Sequence, residues 1–266
     1  STSGGLSRLK DRYPSRFVET GIAEQAAVSI ATGIALEGLP VIAGSFAPFI
    51  VGRAWEQMRL AAYMEANLIV LGFGSGLGLS HLGYTHCSME DYDLVDAIPG
   101  TKIYEPSSPL EMMDTLCACF SESGVKYIRL TGDGPTAKVF SDSNLLESRA
   151  PGIRVIKNKS SSKTLVTNGH IATRLVEEFD YLETHSLILI SSLDSELLVE
   201  NCADLLSGQV TCCHESYSEK MLNVVTNATI NLGNPLPVQS LKFDKKFSKP
   251  GTFNFVSDCL GFKART

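Results

Sequence analysis

The sequence predicts an α/β protein with two domains, each a mainly parallel sheet flanked by helices. Three observations carry this expectation. Short β-type runs alternate with helical stretches along the chain. One run, Asn67 to Phe73 (NLIVLGF), is apolar almost throughout, as a strand covered on both faces must be. The alternation stops over Thr131 to Lys163, where Gly132, Gly134, Pro135, Pro151 and Ser160 to Ser162 accumulate, and then resumes.

Taken in order, Arg16 to Glu19 reads as a first strand and Ile22 to Glu37 as a helix stopped by Gly38. Pro40 to Ser45 is strand-like and Phe49 to Tyr63 helical. A Gly-rich loop from Gly74 to Gly83 follows the NLIVLGF strand. Met89 to Ala97 has a helical pattern and Lys102 to Tyr104 an extended one. Pro109 to Glu122 carries Pro at a first helical turn, where its missing N–H costs nothing. Lys126 to Leu130 closes the unit as a strand. The polar stretch after it holds at most one short strand, near Ile153. Beyond it, Thr164 to Thr167, Leu187 to Ile190, Gln209 to Cys213 and Val238 to Leu241 are expected strands. Gly169 to Tyr181, Ser195 to Leu206 and Ser216 to Val225 are the helices between them. These boundaries give residues 1–135 and 163–266 as domains and 136–162 as a linker.

The 266 residues are 44% apolar and 20% charged, enough to build two modest cores. The net charge of -6, without a Lys or Arg run, argues against a nucleic-acid or anionic-membrane surface. No stretch is long and apolar enough to span a bilayer, and no signal peptide opens the chain. Seven Cys lack CxxC or zinc-finger spacing and read as reduced, buried thiols of a cytoplasmic protein.

Three features stand where strands run into loops or helices. Gly21-Ile22-Ala23-Glu24-Gln25 puts a carboxylate in a first helical turn. Phe46-Ala47-Pro48-Phe49 places two rings three apart at the next junction. Gly83-Tyr84-Thr85-His86 ends the Gly-rich loop. The C-terminal ends of parallel strands are where α/β sheets bind ligands. Taken singly, each is ordinary: a dipole-stabilised Glu, a pair of core rings, a surface His.

Their order and context resemble the pyrimidine-binding domain of the transketolase family. The run RFVETGIAEQAAVSIATGIALEGLPVIAGSFAPFIVGRAWEQMR follows the family pattern through its whole length. Gly83 to His86 with Glu90, the Ile98-Pro99 turn and Glu105-Pro106-Ser107 follow it further. The similarity is strong from about Tyr13 to Leu130. It weakens after Lys163, where the strand order and His214-Glu215 suit the family's C-terminal domain.

The resemblance implies thiamine diphosphate as cofactor. It gives Glu24 the role of hydrogen-bonding the pyrimidine ring nitrogen and sharing its proton. It gives Phe46 and Phe49 the role of packing against that ring, and His86 that of facing the donor. Arg129 matches a sugar-phosphate contact. The small residues Ala23, Ala26, Ala27, Ala31 and Gly33 imply close packing of the Glu24 helix in a dimer interface. Positions near the His motif that carry an Asp in sugar-phosphate enzymes are His81 and Leu82 here, which points away from an ordinary pentose phosphate.

The family's diphosphate- and metal-binding domain has no counterpart in the pattern. Gly132-Asp133-Gly134 and Asn158 mimic its metal motif, but Pro135 and the linker-like context argue for coincidence, so no metal ligand is assigned. The family pattern also has a helix and a strand before the part that matches from Ser1 onward, so a processed or trimmed chain start is expected. The resemblance therefore implies one subunit of a split transferase. A separate N-terminal, diphosphate-binding subunit would hold Mg2+ or Ca2+, and the whole would assemble as an α2β2 heterotetramer. Such an enzyme moves a two-carbon ketol or related acyl group from a ketol or 2-oxo-acid donor to an aldehyde. Two alternatives stay open: the beta subunit of a 2-oxo-acid dehydrogenase or decarboxylating carboligase, and a catalytically silent scaffold.

Overall fold

A computed structural model describes residues 6–131, 136–142, 145–206, 208–233 and 235–264. The first unit contains α1 (Ser7–Arg12), α2 (Glu24–Leu36), β1 (Val41–Phe46), α3 (Ala47–Tyr63), β2 (Leu68–Phe73), α4 (Asp91–Asp96), β3 (Lys102–Tyr104), α5 (Pro109–Ser121) and β4 (Val125–Leu130). Its strands are all parallel, in the order β1-β2-β4-β3. Parallel neighbours need crossovers, and α3 supplies the one from β1 to β2. Central β2 buries Leu68 to Leu71 on both faces, which is why its sequence is apolar without alternation. Each such side chain contributes about 1.5–3 kcal/mol relative to exposure.

The second unit contains β5 (Glu147–Ala150), β6 (Ile153–Ile156), β7 (Lys163–Thr167), α6 (Gly169–Glu177), α7 (Tyr181–Thr184), β8 (Ser186–Ile190), α8 (Ser195–Cys202), β9 (Gln209–Cys213), α9 (Lys220–Asn231), β10 (Val238–Leu241) and α10 (Phe253–Cys259). Its sheet runs β10-β9-β7-β8-β6-β5, parallel from β10 to β8 and antiparallel at β6 and β5. The α/β architecture expected from the alternation is therefore present in both halves. Buried apolar residues of the two sheets belong to one contiguous cluster, which includes Val70 and Tyr127 from the first and Val166 and Ile188 from the second.

Three segments differ from the sequence expectation. Arg16 to Glu19 forms no strand: Pro14–Arg16 makes a single 3-10 turn, and Val18 stays exposed with no sheet to pack against. The stretch read as linker carries two strands rather than at most one. Pro151-Gly152, with Gly152 at φ +76°, turns the β5-β6 hairpin, and β6 then pairs with β8. Pro followed by a positive-φ Gly serves a tight turn as well as a linker, and composition does not separate the two. The helix expected from Ser216 begins at Lys220, because Ser216 Oγ accepts from Ser218 N–H and bonds His214 Nδ1. Side-chain bonds of this kind hold backbone out of a helix.

In β1-β2 register, Phe46 lies beside Phe73, so both strands end on the same edge. Gly72, next to that edge, allows close approach: a Cβ there would collide with the Tyr127 ring. Gly76 adopts φ +61° and would collide with Glu215 if it carried a side chain. The second unit thus closes on the loop after β2. Leu77 N–H donates to Glu215 Oε1 at 2.6 Å, and Tyr217 N–H donates to Met89 O at 2.8 Å.

Candidate active site at the C-terminal edge of the first sheet

Glu24 is the first residue of α2, where a carboxylate is favoured by the helix dipole. It is only 7% exposed. Ser45, one residue before the end of β1, donates its hydroxyl to Glu24 Oε1 at 3.3 Å. Arg53 Nη1 donates to Glu24 Oε2 at 3.2 Å. Phe46 caps the start of α3 and Pro48 occupies its first turn, so the helix begins directly at the strand end. Phe49 then projects one turn before Arg53. The Arg53 guanidinium lies 4.3 Å from the Phe49 ring centre, a cation–π contact.

Phe46 and Phe49 meet edge to face, with ring centres 6.2 Å apart at 90°. His86 approaches the same pair, 5.2 Å from Phe49 and 6.3 Å from Phe46. Its loop is braced. Gly76 and Ser88 exchange backbone bonds of 2.8 and 2.9 Å, and His86 N–H donates to Gly83 O. Tyr84, two residues earlier, donates its hydroxyl to Lys246 O and also bonds Tyr217. Thr85 Oγ1 engages His86 Nδ1 at 3.0 Å, which leaves Nε2 as the nitrogen open to a ligand. Residues from three separate segments, Glu24, Phe46 with Phe49, and His86, therefore converge on one edge. Ser45 and Arg53 belong to the same group and were not anticipated. Their signals were modest: Ser45 adjoins Phe46, and Arg53 follows Phe49 by one helical turn.

Arg129 is not at this site, and its expected contact with substrate is corrected. The side chain is fully buried. Its Nε donates to Asp91, Nη1 to Glu105 Oε1 at 2.8 Å, and Nη2 to the carbonyls of Ser88 and Glu215. Tyr127 also donates to Asp91, and His214 Nε2 engages Glu105 Oε2 at 2.8 Å. Burial alone would disfavour the Arg129 charge, but Asp91 and Glu105 more than offset it and raise its pKa. Burial likewise works against the Glu105 carboxylate, and Arg129 with His214 outweighs it and lowers the pKa. Glu215 has no such cation bound directly, and burial pushes it up to about 7 despite the Leu77 N–H. The network ties β4, α4 and the loop after β9 together. It is a structural clamp behind the His86 loop.

Asn158 is engaged in structure, donating to the carbonyls of Leu182 and Glu183 and accepting from Ser160 N–H. Gly132-Asp133-Gly134 lies outside the described residues. Among the described residues, no group of three or more His, Cys, Asp or Glu could hold a metal ion, and no helix is long and apolar enough to cross a membrane. Five of the seven Cys are buried; Cys117 is exposed and Cys259 half-buried.

The chain is 36% identical over 121 residues to one of the subunits of apulose-4-phosphate transketolase from Actinobacillus succinogenes, covering 45% of this chain and 39% of that protein. It is 30% identical over 131 residues to a putative transketolase C-terminal section of Methanocaldococcus jannaschii, covering 49% and 42%. Among solved structures it resembles one described as a split gene transketolase, inactive beta4 tetramer. The TM-score is 0.78 at 26% identity, over 99% of this chain and 85% of that one. The chain spans about two fifths of the length of the curated relatives it matches. Residues 1–145, more than half the chain, match the family described as transketolase, pyrimidine binding domain, and the chain belongs to that family.

Proposed function

We propose that this chain is the pyrimidine-holding subunit of a two-component, thiamine-diphosphate-dependent enzyme that transfers a two-carbon ketol group to an aldehyde. The observation that carries the reading is the convergence of Glu24, Phe46, Phe49 and His86 on one sheet edge. A buried carboxylate beside two mutually perpendicular rings suits a flat heteroaromatic ring that presents a nitrogen to the carboxyl. The residues present thus fit the pyrimidine. Thiamine diphosphate, when bound, supplies the carbon nucleophile and electron sink for cleaving the donor's carbon–carbon bond. Glu24 hydrogen-bonds the ring nitrogen and moves a proton at that atom. Phe46 and Phe49 bear on the ring and exclude water. His86 Nε2 steadies negative charge on the donor oxygen or carries its proton.

The diphosphate and its Mg2+ or Ca2+ belong, in this reading, to a separate N-terminal subunit, and two copies of each chain assemble as α2β2. The relatives described as a transketolase subunit, a C-terminal section and a split-gene chain support that division. With Arg129 buried, the cation that the sequence offered for a sugar phosphate is gone. This favours an unphosphorylated donor, or one whose phosphate the partner subunit meets.

The test is reconstitution with a candidate diphosphate-binding subunit, thiamine diphosphate and magnesium, assayed with an α-hydroxyketone or a 2-oxo acid as donor and an aldehyde as acceptor. Ketol transfer is expected. Activity confined to 2-oxo acids would instead favour the dehydrogenase or carboligase reading. In the same assay His86→Ala should lower kcat/KM for the donor by about 10²-fold, the smaller end of general acid–base effects. Its cofactor affinity should stay within about threefold, because ring contacts to Glu24 and Phe49 remain. Unchanged donor kinetics in that variant would remove His86 from the site.

A further inference from the structure

We propose that Arg53 competes with the cofactor's aminopyrimidine for Glu24 and Phe49, so that the guanidinium must swing aside before the ring can seat. This inference rests on the cofactor reading above and adds a gate to the same site. Three observations carry it. Arg53 Nη1 is bonded to Glu24 Oε2 at 3.2 Å, on the carboxylate assigned to the ring nitrogen. The same guanidinium stacks 4.3 Å from the centre of Phe49, the ring assigned to pack on the cofactor. A flat group touching both Glu24 Oε2 and this face of Phe49 must therefore occupy the volume the guanidinium holds. A planar guanidinium mimics a protonated heteroaromatic ring in just these respects: flat, cationic and able to donate in its own plane.

The third observation is that Arg53 is free to leave. Its side chain is 52% exposed, whereas that of Glu24 is 8% exposed. It also stands where α3 departs from helical geometry, at Ala54 (φ -107°, ψ 20°). An ion pair and a cation–π contact made by a half-exposed cation hold it by a factor of roughly 3 to 30. That is enough to occupy the site most of the time and little enough for a tight ligand to overcome. By linkage, the apparent affinity for the cofactor is the intrinsic affinity multiplied by the fraction of chains with Arg53 swung out.

The experiment is calorimetry of thiamine diphosphate with magnesium on the reconstituted two-subunit enzyme, comparing wild type with Arg53→Ala and Arg53→Lys. A 4-aminopyrimidine lacking the diphosphate is titrated in parallel on this chain alone. Arg53→Ala should tighten both by about 4- to 30-fold. Arg53→Lys, which keeps the charge but loses the planar fork, should fall between the two. The advantage of the Ala variant should shrink at high salt, because an exposed ion pair is screened. Equal or weaker binding by Arg53→Ala, with wild type binding normally, overturns the gate and leaves the cofactor reading standing. Binding by none of the three chains overturns the cofactor reading and the gate with it.

Discussion

Glu24→Gln should reduce turnover of the reconstituted enzyme by about 10²- to 10⁴-fold, the range for loss of a positioned proton-transfer group. Gln has the shape of Glu, so Ser45 Oγ can still donate to the side-chain oxygen that replaces Oε1. The amide cannot exchange a proton with a ring nitrogen, and that step is the whole of the loss. Folding should be little affected. The ion pair that disappears joins Glu24 to a half-exposed Arg53, and pairs of that kind contribute about 0–1 kcal/mol. The check is kcat at saturating cofactor beside a thermal melt of the same sample. A variant that melts like wild type and keeps kcat within tenfold would show that Glu24 is a helix-terminal carboxylate and nothing more.

Arg129→Ala should act in the opposite manner, on stability rather than on donor recognition. It would leave Asp91 and Glu105, both fully buried, without their shared counter-charge. Breaking a buried charge pair from one side typically costs about 3–5 kcal/mol. Loss of the bonds to the Ser88 and Glu215 carbonyls would also loosen the braced His86 loop. The pH dependence follows the same network. The folded-state pKa of Glu105 is below its unfolded value, so its stabilisation is present above the ordinary carboxylate range. It is lost as pH falls through the lowered value. Denaturant melts of wild type and variant should therefore differ widely at neutral pH and converge in acid. Unchanged melts together with a raised KM for a phosphorylated donor would restore Arg129 to the substrate site.

These two residues illustrate what the sequence could and could not convey. The grouping of Glu24 with Phe46, Phe49 and His86 was readable because a carboxylate in a first helical turn, two rings at a strand end and a Gly-rich loop ending in His occur in one order. Each of the three depends on its own neighbours, and parallel topology brings strand ends to one edge. Arg129 was misread because nothing local distinguishes a strand-end Arg facing solvent from one covered by a later part of the chain. Its partners Asp91, Glu105 and the Glu215 carbonyl come from three separate loops and helices. Strands β2, β8 and β9 were legible as apolar or β-branched runs. The β5-β6 hairpin was not, since its four-residue strands are too short for a periodicity and its Pro-Gly turn has linker composition. Arg53 escaped notice because a charged residue on a helix face is ordinary, and its significance lies only in what it touches.

The most direct test of the account is calorimetry of thiamine diphosphate with magnesium, first on this chain alone and then after mixing with a diphosphate-binding subunit. The account predicts tight binding in the mixture and little by the chain alone, because it assigns the pyrimidine to Glu24, Phe46 and Phe49 here and the diphosphate with its metal to the partner subunit. Tight binding by this chain alone, or none by a mixture that assembles, would contradict it.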